Sequence, residues 1–364
     1  MSKAIKNKNI LISGFYGFGN AGDEAILYSM VSSFKKEMPD IAISVLSHKE
    51  ITELKPFGVK FINRKNYFEI IAAMLKTSLF ISGGGGLIQD ITSVRSIKYY
   101  LGLINLAKLL GKKVLIYAQG IGPVITEEGK KRTKDTLNKV DSITIRDEYS
   151  KWLLGSLGVK QNNIEVTADP VLTLSGDADI TDLCQKYGIL PADINLGISI
   201  RPWRTDCTDA LAEFLTELNK NRPDIKQYLL PFQLSQDLAE CARLEKKLNH
   251  KVAIINEQLS TLQLLTLISK FNYIIAMRLH AAIMASVKNI PALGIVYDPK
   301  VKNFFSLTDL PSVELEEVSA DLLKTNFDYI IKNEQDIKIK LKNNIEGLKT
   351  KADKNVEIVK QLLK

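Results

Sequence analysis

Short apolar runs recur along the first half of the chain, each followed by a longer stretch whose apolar positions fall three or four apart. The short runs read as strands: "NILISGF", "IAISVLS", "VKFIN", "SLFISG", "KVLIYAQG", "SITIRD" and "IEVTAD". The intervening stretches, such as "DEAILYSMVSSFKKE" and "SIKYYLGLINLAKLLGK", carry helical spacing. Strands that are apolar throughout, alternating with amphipathic helices, predict α/β architecture with a parallel sheet covered on both faces.

The polar stretch "TLSGDADITDLCQKYGILPAD", around residues 173–193, breaks this rhythm and predicts a domain boundary. A second series of strands follows: "NLGISIRP", "KQYLLPF", "HKVAIIN", "FNYIIAM" and "PALGIVY". The expected organisation is therefore an N-terminal Rossmann-like domain over 1–180, a second over 190–315 and a helical tail over 316–364, with a cleft between the two sheets. The tail is rich in lysine and mixes both charge signs, so it reads as a solvated amphipathic helix, with a membrane-surface role as the alternative.

A chain of 364 residues accommodates two domains that each bury a core. Its formal charge of +8 fits either a well-solvated basic surface or an anionic partner: nucleic acid, a phosphorylated metabolite or lipid head groups. No nucleic-acid module with interleaved basic and aromatic residues is present. Cys184, Cys207 and Cys241 are scattered, which argues against a disulfide framework or a zinc site and suits a reducing compartment. The basic start "MSKAIKNKN" is followed by too short an apolar run for a signal peptide, and no uninterrupted apolar stretch has the length of a membrane span. A cytoplasmic protein is expected.

In an open parallel sheet, ligands bind beyond the carboxyl ends of the strands, so the polar residues there matter most. The first strand runs into "GFYGFGNAGDE", where Gly17, Gly19 and Gly22 have G-x-G-x-x-G spacing. A nicotinamide reading fails, because the following helix starts with Asp23 and Glu24, which repel a pyrophosphate. The second strand also ends in Ser47 and His48 rather than a ribose-binding acid. What remains is a glycine turn with Asn20 and a capping Asp23 able to meet a hydroxyl-rich ligand. Gly83, Gly84, Gly85 and Gly86 follow "SLFIS"; no Walker A lysine comes after them, and they predict an anion-binding nest. Arg146 ends "SITI", as a site residue or as half of a surface ion pair.

The second series places Arg201, then Gln233 and Asp237, then Arg278-Leu279-His280, then Lys300 on successive strand ends. No metal-ligand spacing and no G-x-S-x-G elbow is present, so neither a metal site nor a serine nucleophile is expected. Arginines, a lysine, glycine N–H groups and one histidine suit a small anionic metabolite bearing phosphate and carboxylate.

The ordered set "GFYGFGNAGDEAIL", "SGGGGLIQDITSVRSIKYYL", "QGIGPV", "RDEYS", "ADPVL", "ISIRPW", "PFQLSQD" and "MRLHAAIMAS…YDPKV" resembles the polysaccharide pyruvyl transferases, most closely the CsaB type, from about residue 9 to 306. The resemblance implies two Rossmann-like domains in a GT-B-like arrangement. It also implies transfer of a pyruvyl group from phosphoenolpyruvate to a sugar, forming a cyclic ketal. In the CsaB type the acceptor is N-acetylmannosamine of a lipid-linked secondary cell wall polysaccharide precursor, and the polymer anchors surface-layer proteins. No cofactor is implied beyond the donor. A lipid-linked acceptor would bring peripheral contact with an anionic membrane at its inner face.

The family's donor-binding Arg-Leu-His falls on Arg278, Leu279 and His280, and its other basic positions match Arg146 and Lys300. In this reading His280 is the acid-base residue, and Arg278, Arg201 and Arg146 clamp the donor. Lys300 neutralises the departing phosphate, and Asp23 or Asp237 accepts the proton of the attacking hydroxyl. The expectation is that the groups at 146, 201, 278, 280 and 300 gather round one pocket. Competing readings are a nucleotide-sugar glycosyltransferase of GT-B architecture and a non-catalytic sensor of an anionic metabolite.

Overall fold

The computed structural model describes residues 8–91, 94–160 and 164–364. The basic residues 1–7, and Thr92 and Ser93 within the tetraglycine motif, lie outside the described residues. The chain divides into two units: the first is Met1–Phe18, Asp23–Leu174 and Leu348–Lys364, the second Gly19–Gly22 and Ser175–Gly347.

The first unit holds a seven-stranded parallel sheet of β1 (Asn9–Ser13), β2 (Ala42–Ser47), β3 (Lys60–Asn63), β4 (Leu79–Ser82), β5 (Lys113–Gln119), β6 (Ser142–Ile145) and β7 (Ile164–Val166). The spatial order is β3-β2-β1-β4-β5-β6-β7. Ile10, Leu11 and Ile12 of β1 are all fully buried, as a strand with helices on both faces requires. The order reverses between β1 and β4, which puts a topological switch point at their carboxyl ends.

The second unit repeats the plan with β8 (Ile194–Ser199), β9 (Ile225–Leu229), β10 (Ala253–Ile254), β11 (Tyr273–Ala276), β12 (Ala292–Val296) and β13 (Ser312–Glu314), in the order β10-β9-β8-β11-β12-β13. Every pairing is parallel, and the switch point lies between β8 and β11. The twelve strand-like runs of the sequence all form strands. The thirteenth, β13, has Val313 as its only buried side chain and leaves no run to read.

The C-terminal region departs from expectation. The helix Ala320–Lys332 packs within the second unit, its fully buried Phe327 ring 5.7 Å from Phe214 and 5.4 Å from Tyr273. The final helix, Glu334–Leu363, buries Ile337, Leu341, Ile345, Leu348, Ala352, Val356, Val359 and Leu363, a stripe at intervals of three and four. Its first residues belong to the second unit, where Tyr273 Oη donates to Glu334 Oε2 (2.6 Å). Its last residues belong to the first, where Thr167 Oγ1 donates to the buried Asn355 Oδ1 (3.0 Å) and Lys113 Nζ to the Leu362 carbonyl (2.7 Å). Each larger apolar side chain in the stripe contributes about 1.5–3 kcal/mol. The region is thus neither a separate tail nor a solvated helix: its lysines decorate the outer face of a structural one. Among the described residues no helix is long and apolar enough to cross a membrane.

Candidate functional site at the strand ends

At the switch point of the second unit, β11 is followed two residues on by Arg278, which caps the helix Leu279–Val287. Arg278 Nε donates to Asp237 Oδ2 (3.0 Å), and a second, very short bond joins its Nη2 to Asp237 Oδ1. Asp237 is fully buried, and its Oδ2 also accepts from the backbone N–H groups of Phe232 (3.0 Å) and Gln233 (2.9 Å). The carboxylate is therefore saturated. It holds the guanidinium plane in one orientation and has no capacity left to act as a base, which corrects the expectation that Asp237 takes a substrate proton. Arg278 Nη1 has no hydrogen-bond partner among the described residues.

Neighbouring strands add further polar groups to the same edge. After β8, the Arg201 guanidinium lies 5.1 Å from the Trp203 ring and 5.3 Å from the Tyr297 ring, and Nη1 donates to Tyr297 Oη (3.2 Å). Its Nε is buried without a partner among the described residues. After β12, Lys300 stands in the first turn of the helix Pro299–Thr308 and pairs with the capping Asp298 (3.0 Å). Arg201, His280 and Lys300 are all half-buried, as ligand-binding groups at a sheet edge should be. Leu279, by contrast, points into the core at 7% exposure, so the middle residue of Arg-Leu-His anchors the helix rather than touching a ligand.

The segment Gly19–Gly22 belongs to this unit and explains the third glycine of the opening motif. Asn20 bridges to Gln233 in antiparallel fashion, and Ala21 N–H donates to the Phe232 carbonyl (2.8 Å). Asn20 Oδ1 accepts from Gly22 N–H (3.1 Å), tightening the turn. A Cβ on Gly22 would lie 2.2 Å from His280 Nδ1. Glycine is there so that the backbone can lie flat against the imidazole, not to admit a pyrophosphate. Gln233 is 5% exposed and serves mainly to seat this segment.

The carboxyl edge of the first unit is closed by its own side chains. Gly83, Gly84 and Gly85 are buried. Added Cβ atoms would meet Tyr16 Oη at 2.2 Å, Ile26 at 2.9 Å and Asp23 Oδ1 at 2.8 Å, respectively. The loop continues β4 beside β5, with Gly120 N–H donating to the Gly85 carbonyl (2.9 Å). Close packing is what the first three glycines satisfy, which corrects the expectation of an exposed nest; Gly86 alone is half-exposed. Asp23 sits in the first turn of the helix Ala21–Glu37; complete burial, and then the charge of Asp23, push the Tyr16 hydroxyl pKa well upward. Arg146 is 8% exposed, donates from Nη1 to Asp169 Oδ2 (2.8 Å) and lies against Gly120, where a Cβ would approach its Nη2 to 2.7 Å. Arg146 and Arg278 are thus each held by a buried carboxylate of their own unit. Arg201, Arg278, His280 and Lys300 share one edge of the second sheet.

One cluster escaped the reading of the sequence. In the first unit, Phe15 stacks on Phe18 (4.3 Å between centroids) and Phe18 on His48 (4.7 Å). The Arg64 guanidinium lies over Phe18 (5.1 Å), Tyr99 (4.4 Å) and Tyr100 (5.5 Å), with no carboxylate within salt-bridge distance among the described residues. Phe15, Phe18 and Arg64 are half-buried and His48 exposed, so the cluster offers flat aromatic faces and one cation beyond β1, β2 and β3. The sequence signal was Phe15 and Phe18, three apart in the glycine motif.

Comparison with known proteins places this geometry. The chain matches the profile of the polysaccharide pyruvyl transferase family over residues 20–299. No curated protein sequence matches it. Among solved structures, it is similar to Anabaena HepE in complex with UDP-glucose (TM-score 0.66, 11% identity, covering 97% of this chain and 98% of that one). It is also similar to the UDP-GlcNAc 2-epimerase of Neisseria meningitidis bound to UDP-GlcNAc (0.66, 17%, 98% and 99%). A glycosyltransferase from Rickettsia africae is comparably similar (0.66, 16%, 98% and 99%). At these identities the likeness establishes the fold, two Rossmann-like domains of the GT-B class, and nothing finer. The family profile takes in the strands from β2 to β12, and on that match the chain belongs to the polysaccharide pyruvyl transferase family.

Proposed function

We propose that this protein transfers a pyruvyl group from phosphoenolpyruvate to a hydroxyl pair of a sugar, forming a cyclic ketal and releasing phosphate. The observation that carries this reading is the strand-end set of the second unit: Arg278 pre-oriented by Asp237, with His280 and Arg201 beside it in the matched family region and Lys300 one residue beyond its end. In this reading Arg278 and Arg201 bind the donor's phosphate and carboxylate, with Arg146 as a further donor-binding group. His280 delivers a proton to the methylene carbon, which turns the adjacent carbon into an oxocarbenium-like electrophile. One sugar hydroxyl attacks it; the second displaces phosphate, its proton returning to His280 and the charge of the departing phosphate met by Lys300. Because Asp237 is saturated, Asp23 takes the role of proton acceptor for the attacking hydroxyl. The aromatic faces of Phe15 and Phe18 beside Arg64 suit the ring and the anionic linkage of a lipid-linked sugar. The acceptor assigned by the CsaB resemblance is N-acetylmannosamine of a cell wall polysaccharide precursor, handled at the cytoplasmic side, in a polymer that anchors surface-layer proteins.

The test is incubation of the protein with phosphoenolpyruvate and a synthetic N-acetylmannosaminyl lipid diphosphate. The expected result is stoichiometric phosphate release and an acceptor mass gain equal to a pyruvate ketal, persisting in EDTA. His280→Ala should keep donor affinity and lose about 10²–10⁴-fold in turnover. A fully active variant removes the acid-base assignment. The ligands of the structural neighbours favour a second reading, glycosyl transfer from a nucleotide sugar. Release of nucleotide rather than phosphate would decide for it.

A further inference from the structure

The helix Tyr67–Lys76 of the first unit has two apolar faces where a surface helix needs one. Ile70 and Met74 are fully buried and fasten it to the core. Turning at about 100° per residue, Tyr67, Phe68, Ile71, Ala72 and Leu75 form a second stripe about 140° wide beside the buried one. That stripe faces solvent: Tyr67 is 66% exposed, Phe68 89%, Ile71 41% and Leu75 57%. The helix itself is well formed, with the Asn66 side chain accepting from Glu69 N–H (3.3 Å) at its start. Isolated exposed apolar residues are ordinary; a continuous stripe including two aromatics marks a surface that meets another apolar phase.

The charge around the stripe identifies that phase. Exposed Lys65 and Lys76 stand at the two ends, and Lys112 Nζ donates to the Leu75 carbonyl (2.8 Å), which brings a third ammonium to the C-terminal end. Across residues 60–76 the chain carries Lys60, Arg64, Lys65 and Lys76 against Glu69 alone. A second copy docking through a twofold axis would set these lysines against themselves, which opposes self-association. A bilayer with anionic head groups complements both features, since aromatic side chains sit at the head-group boundary while lysines meet the phosphates. We infer that the Tyr67–Lys76 helix is a docking site for an anionic lipid bilayer. The inference needs no donor or acceptor chemistry, so it stands apart from the reaction. It also moves the membrane contact away from the C-terminal helix, whose apolar stripe is buried.

The experiment is flotation of the full-length protein with vesicles of phosphatidylcholine alone or mixed with phosphatidylglycerol, at low and high salt. Comparison variants are Phe68→Ser/Leu75→Ser, Lys65→Gln/Lys76→Gln, and Lys342→Gln/Lys349→Gln/Lys351→Gln on the C-terminal helix. Circular dichroism and thermal melting confirm folding, and sedimentation velocity gives the oligomeric state. Expected is salt-sensitive binding to the anionic vesicles, reduced about tenfold or more by the first variant and severalfold by the second, with the third unaffected. Binding that survives Phe68→Ser/Leu75→Ser, or is lost only in the C-terminal variant, overturns the proposal. So does a dimer that Phe68→Ser/Leu75→Ser dissociates in a protein that binds no vesicles.

Discussion

The carboxyl edges of the two sheets share one topology and are finished differently. In the first unit the loops after β1 and β4 fold over Tyr16, which is fully buried, and the glycines leave room for its ring and for Ile26 and Asp23. Asp90, in the loop that follows, accepts from the N–H groups of Ile125 (2.7 Å) and Thr126 (3.0 Å) and from the Thr126 hydroxyl, and so pins the loop after β5. In the second unit the corresponding loops leave Arg201, His280 and Lys300 half-exposed. Glycine density is thus a poor guide to a ligand site: three of the four consecutive glycines serve packing, whereas single Gly22 lies against the one histidine of the Arg-Leu-His motif.

The comparison breaks most readily at the two buried ion pairs. Asp237→Ala removes the carboxylate that holds Arg278 and should lose about 3–5 kcal/mol in urea denaturation; Asp169→Ala should lose less, because Arg146 keeps the buried Asp147 carboxylate 3.8 Å away. An undisturbed midpoint in either would mean that its arginine finds solvent on losing its partner. Gly22→Ala comes next. Its methyl group would displace the imidazole, lowering turnover about 10²-fold while the melting temperature stays nearly constant. Gly83→Ala should do the reverse, losing about 1–3 kcal/mol against Tyr16 with donor affinity retained in any protein that still folds. If the two glycine variants behaved alike, the distinction between a packed edge and a binding edge would fail.

The smallest effect concerns pH. Burial raises the Asp90 pKa, but the Thr126 hydroxyl and the Ile125 and Thr126 N–H groups together bring it below the ordinary aspartate range. A depressed carboxylate stabilises the fold above its unfolded value and loses that contribution as pH falls through the folded one. Denaturation midpoints should therefore decline on acidification below the ordinary aspartate range, and less steeply in Asp90→Asn.

Much of this was legible in the sequence, for identifiable reasons. Strands buried on both faces are continuous apolar runs, so twelve of thirteen could be read directly; β13, with Val313 alone buried, could not. The residues at the edge of the second sheet were readable because each stands within a few residues of the end of such a run. Their partners were not, because Asp237 lies 41 residues from Arg278 and Asp169 lies 23 from Arg146, and no local pattern links them. The Arg64 cluster draws on four separate segments and was invisible for the same reason. The C-terminal helix misled because its lysines dominate the composition, while the apolar stripe every three or four residues decides where it goes.

That helix bears on how the protein is made. Residues 348–364 complete the first unit, although everything else in it has been synthesised by Leu174. At ordinary elongation rates the interval is roughly 10–35 s, during which β7 and its neighbours await their cover on the ribosome. The second unit is contiguous apart from Gly19–Gly22, so it can mature first, and the unit whose strands come earlier in the chain is the one that finishes later.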